Sequence, residues 1–231
     1  MKASCSVWSA DLMALRNAID SLTGHADEFH VDVMDGNVVP DILFGLDFVA
    51  AMRAVTETPL DVHLMTHTTD DWIERSVEAG AARVAVHVNF CRDVRAALRR
   101  IESVGALPVL VLPLDSAIEE GSLPWGLFRR VLLMGTEIGI KGAGPDPRVF
   151  GRVEALLELR ERLRLDFEIF VDGGIRREVV PRLANAGADG VVPGSLVFRA
   201  PDPLAVLAWI HSLSRGRREP NGTALIAESL A

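Results

Sequence analysis

A chain of 231 residues, 49% of them hydrophobic, can bury one large core and has the ordinary size of a single α/β barrel domain. Its formal charge of −8, with arginines scattered rather than clustered, argues against a nucleic-acid surface and for small-molecule partners. No run of about 18 apolar residues occurs, and MKASCSVWSADL lacks the basic, apolar and small-residue regions of a signal peptide, so a cytoplasmic protein without membrane contact is expected.

Short apolar runs recur along the chain: CSVW (5–8), FHVDVM (29–34), LDVHLM (60–65), RVAVHV (83–88), PVLVLP (108–113), RVLLMG (130–135), FEIFVDG (167–173) and GVVPGS (190–195). Their length and β-branched content read as buried strands. Most are separated by stretches of helical spacing: DLMALRNAIDSL, DWIERSVEAG, CRDVRAALRRIESVG, VFGRVEALLELRERL and REVVPRLANAG, several closed by glycine. Eight strand–helix units predict a parallel (β/α)₈ TIM barrel over residues 1–214. The competing open doubly wound sheet usually carries a glycine fingerprint after its first strand, and none follows CSVW. Residues 215–231, RGRREPNGTALIAESLA, are expected to form a polar tail and no second domain. The only cysteines, Cys5 and Cys91, show no CxxC spacing and are expected to be buried thiols.

In such a barrel the active site lies at the carboxyl ends of the strands. Residues two apart on a strand share a face, so His30 and Asp32 project into the barrel with Met34 beyond them. Asp61 shares a face with His63 in the third strand, and His87 with Asn89 in the fourth, while Asp172 ends the seventh just before two glycines. One inward histidine is more often a hydrogen-bonded core residue than a ligand. His30, Asp32, His63 and Asp172 together make a mixed nitrogen and oxygen set suited to one divalent cation, Zn²⁺, Fe²⁺ or Mn²⁺. His87 is either a fifth polar wall residue or a packed core histidine. VDGG (171–174) and PGS (193–195) follow the seventh and eighth strands, where barrels of this type often hold phosphate on backbone N–H groups. GIKGAG (139–144) offers further glycine amides beside Lys141, which with Lys2 makes up all the lysine in the chain.

These motifs resemble the ribulose-phosphate 3-epimerase family, with allulose-6-phosphate 3-epimerases closely related: SCSVWSADL, HVDVMDGNVVP, DVHLM, VDGGI and PGSLVF occur in the family's order. The resemblance implies a metal-dependent isomerase inverting C3 of a phosphorylated ketose, with His30, Asp32, His63 and Asp172 as metal ligands and Asp32 and Asp172 as the acid/base pair. Ser6, Met34, Met65, His87, Gly139, Lys141 and Gly142 would line the substrate, and Gly173, Gly174, Gly194 and Ser195 would hold its phosphate. A homo-oligomer is expected. The chain departs from the family at EIGIKGAG after strand six, Asn89 after strand four and LPLDS (112–116) after strand five. The altered loops keep an isomerase or aldolase acting on another ketose, phosphorylated or not, or on a sugar acid, as the alternative. A non-catalytic sugar-phosphate sensor is the remaining reading.

Overall fold

The computed structural model describes residues 1–214, so the expected tail at 215–231 lies outside the described residues. Eight parallel strands form the barrel: β1 (Lys2–Ser6), β2 (Glu28–Asp35), β3 (Leu60–Met65), β4 (Arg83–His87), β5 (Leu107–Leu112), β6 (Arg130–Met134), β7 (Glu168–Asp172) and β8 (Gly190–Val192). They pair in sequence order, and β1 closes the ring by pairing with both β8 and β2. A two-residue strand, Ile42–Leu43, folds back antiparallel on the end of β2.

The helices are α1 (Leu15–Leu22), α2 (Leu46–Arg53), α3 (Thr69–Glu78), α4 (Val94–Ser103), α5 (Arg148–Arg162), α6 (Val180–Ala186), α7 (Ser195–Phe198) and α8 (Pro203–Ser212). Local chemistry starts and stops them. The Asp93 side chain accepts the amides of Arg95 and Ala96 to open α4, Asp202 accepts the Ala205 amide to open α8, and Gly187 in left-handed conformation closes α6. Among the described residues no helix links β5 to β6. That segment is irregular and packs Leu114, Leu123 and Phe128 inward, with Trp125 stacked near Phe167.

Alternation along the strands sorts the side chains. Val31, Val33, Val62, Leu64, Val131 and Leu133 join the layer between barrel and helices, while Ala85, Val109, Val111, Leu132 and Phe170 fill the interior. Gly190 makes room for that interior, since a Cβ there would lie 2.3 Å from the Phe170 ring. Below this layer Arg130 forms two bonds to Glu28 (2.7 and 2.9 Å), pairs with Glu168 at 2.7 Å and stands 3.6 Å over the Phe170 ring. This ionic floor is absent from the sequence reading because its acids and arginine are dispersed over β2, β6 and β7.

Candidate active site

Register places the polar side chains of the barrel. Between β2 and β3, His30 lies beside Asp61, Asp32 beside His63 and Met34 beside Met65; β1 brings Ser6 next to His30. On the far side β7 ends at Asp172, beside Met134 of β6 and Val192 of β8. One nitrogen or oxygen from each of His30, Asp32, His63 and Asp172 lies within 4.8 Å of the others. His30 Nε2 is 3.3 Å from Asp32 Oδ1 and 3.7 Å from Asp172 Oδ2, and His63 Nδ1 stands at the same two distances from those oxygens.

The electrostatics divide the two acids. Burial alone would raise the Asp32 carboxyl, but the charge and hydrogen bonds of His30 and His63 hold it far below the usual carboxylate range. Ser6 Oγ adds a hydrogen bond to Asp32 Oδ2 at 2.8 Å. Asp172 is raised, chiefly by burial and also by Asp32 and Asp61, against the opposing pull of the two imidazoles. Their surroundings therefore set the proton affinities of the two carboxyls apart, the asymmetry that acid/base chemistry on two faces of a carbon requires.

Above this cluster opens a cavity of about 330 Å³, lined by Ser6, Asp32, Met65, Gly139, Lys141, Gly142, Asp172, Gly173, Gly174, Gly194 and Ser195. Met34 is not among its lining residues. It is buried beside Met65 and Val39, one layer behind the wall. His30, His63 and His87 are wholly buried beneath the cavity rather than lining it. Asn89 does not share the inward face expected of it: β4 ends at His87, the chain turns, and Asn89 is exposed in a separate depression with His67 and Cys91. Cys5 is buried and Cys91 only partly so.

The loop after β6 crosses the mouth. A Cβ on Gly139 would meet Val39 at 2.7 Å, Lys141 Nζ donates to the Trp8 carbonyl at 2.7 Å, and Arg176 donates to the carbonyls of Gly142 and Ala143. Two cations that the sequence reading did not single out, Arg176 and Arg199, line the same cavity. The spacing of Asp61 puts it on the face of His63 without implying a role; in the structure its Oδ2 is 3.0 Å from His30 Nδ1.

A buried pair of imidazoles and a pair of carboxylates under a glycine-walled mouth define a TIM-barrel enzyme site for deprotonating a small anionic substrate. Residues 2–198 match the sequence profile of the Ribulose-phosphate 3 epimerase family, and the chain belongs to that family. It is 34% identical over 206 residues to the ribulose-phosphate 3-epimerase of Mycobacterium bovis, covering 89% of this chain and 90% of that one. The Bacillus subtilis ribulose-phosphate 3-epimerase is 35% identical over 213 residues, covering 91% and 98%. Among solved structures, 3-hexulose-6-phosphate synthase from Salmonella typhimurium superposes with a TM-score of 0.64 at 17% identity, covering 92% of this chain and 98% of that one, a likeness of fold alone.

Proposed function

We propose that the chain is a metal-dependent epimerase inverting C3 of a phosphorylated ketose of the ribulose 5-phosphate type. The observation that carries the reading is the convergence of Asp32, Asp172, His30 and His63 at the foot of a cavity walled by the glycine loops. Relatives of the same length that bear the name ribulose-phosphate 3-epimerase support it.

The donor set fits a divalent cation: two imidazoles present nitrogens to the common point, two carboxylates present oxygens, and the four atoms are close enough to share one ion. Bound there, the cation would polarise the ketone and stabilise negative charge developing on its oxygen. The chain's own residues do the rest. Asp32, held ionised and steadied by Ser6, accepts the proton from the carbon beside the ketone. Asp172, whose proton is favoured, donates to the opposite face of that carbon. Reversal of the two protonation states returns the epimer by the same route. Met65, Met134 and Val192 give the reacting carbon an apolar wall that limits water. Amides near Gly173, Gly174, Gly194 and Ser195 hold phosphate, with Lys141 beside them.

The test is exchange of solvent deuterium into pentulose, hexulose and tetrulose phosphates. Label entering a pentulose phosphate at C3 with formation of its epimer is expected. Cleavage products would instead indicate an aldolase, and no exchange with any substrate would indicate a sensor.

A further inference from the structure

We infer that Asp61 and His87 are positioning residues of the cation site: each engages the outer nitrogen of one ligand imidazole and thereby turns its other nitrogen, as a free lone pair, toward the common point. The inference rests on the metal-dependent reading above.

His30 presents the simpler half. Its Nδ1 is 3.0 Å from Asp61 Oδ2, and both side chains are wholly buried. The same oxygen lies 3.6 Å from Arg130 Nη1, so Asp61 faces a guanidinium and is a carboxylate, which can only accept. His30 Nδ1 must then carry the hydrogen. Nε2 is then the nitrogen left to give its lone pair to a cation, and it faces Asp32 and Asp172 at 3.3 and 3.7 Å and His63 Nδ1 at 3.3 Å.

His63 is arranged the other way round. Its Nδ1 faces the ligand cluster, while its Nε2 is 2.8 Å from His87 Nε2, with the two rings stacked 4.9 Å apart. Two imidazole nitrogens at that distance share one proton. When His63 Nδ1 gives its lone pair to a cation, the shared proton belongs to His63 Nε2 and His87 Nε2 accepts it. His87 then carries its own hydrogen on Nδ1, a buried atom with no hydrogen-bond partner among the described residues. Neither Asp61 nor His87 lines the cavity, so neither touches substrate. Outer partners of this kind orient ligands, and their loss typically costs about 10- to 100-fold in metal affinity.

The experiment measures zinc affinity by competition with a chromophoric chelator for wild type, Asp61→Asn, His87→Phe and His87→Gln, together with the thermal midpoint of each metal-free protein. His87→Phe should bind zinc about 10- to 100-fold more weakly with little change in midpoint. His87→Gln, whose amide oxygen can still accept, should stay close to wild type. Asp61→Asn should weaken binding because its neutral amide no longer dictates the His30 tautomer. If that variant unfolds, the His87 pair decides, since it removes no charge from the floor. In the zinc-loaded protein, imidazole ¹⁵N spectra should show coordination through His30 Nε2 and His63 Nδ1. Equal zinc affinity in wild type and His87→Phe, or coordination through His63 Nε2, overturns this inference alone. Wild type that takes up no zinc overturns the metal-dependent reading and this inference with it.

Discussion

Asp172 lies where burial favours its proton and two imidazoles oppose it, and the role proposed for it depends on carboxylic chemistry that an amide cannot supply. Asp172→Asn should leave a folded barrel and lower kcat by at least about 10² to 10⁴, read from steady-state rates. Near-normal turnover would move proton transfer elsewhere. Lys141 makes a different kind of contribution. Its ammonium stands 4.9 Å from the Trp8 ring centre, is lowered by burial and by Arg199, and among the described residues neither cation forms an ion pair. Asp32 offsets part of this crowding, and a dianion at the mouth would relieve the like charges further. Lys141→Met should therefore raise KM for a ketose phosphate with kcat little changed, and leave a dephosphorylated ketose unaffected. An equal effect on both substrates would sever Lys141 from phosphate.

At the scale of elements, the loops after β6 and β7 are locked by close backbone approach. Gly174 has φ of 70°, and a Cβ there would lie 2.3 Å from the Pro145 nitrogen. Gly174→Ala should cost about 1–3 kcal/mol in chemical denaturation and should weaken phosphate binding as the β6 loop is pushed out. An unchanged denaturation midpoint would mean that the loop yields freely. The strands were legible in sequence because a parallel strand buried on both faces becomes a continuous apolar run, and the shortness and β-branched content of FHVDVM or PVLVLP favour strand over buried helix. Their ends were less legible. The apolar run CSVW marks the first strand in sequence, yet β1 is Lys2–Ser6, because Lys2 reaches down to Glu168 and Val7–Ser9 already turns across the mouth. Helix α2 was not singled out. Its run, LDFVAAMR, is apolar at six of its eight positions, so no single apolar face stands out in the sequence although Val49 and Met52 are the ones buried. The ligand set was readable because i, i+2 spacing fixes the face of a strand. Asp61 and His87 were not assigned as partners because a contact between strands depends on register, which one strand's spacing does not contain.

For the molecule as a whole, the ionic floor couples β2, β3, β6 and β7. Arg130 is 1% exposed and counters Glu28, Asp61 and Glu168. Arg130→Met would leave buried acids without their cation, and removing one partner of such a pair typically destabilises by about 3–5 kcal/mol. Equilibrium unfolding in urea checks this, and a loss below about 1 kcal/mol would mean that the floor behaves as a surface pair. The same floor has a kinetic corollary. With Glu28, Arg130, Asp61 and His30 all buried, the floor among the described residues is closed to solvent, and the sugar, its water and any escaping proton would share the mouth as their doorway. On the role proposed for Asp32, a proton it takes up would be traded for a solvent deuteron only while that doorway stands open. The ratio of label washed out to epimer formed then serves as a clock on the β6 loop, ticking faster in any variant, such as Lys141→Met, that unfastens the loop from Trp8.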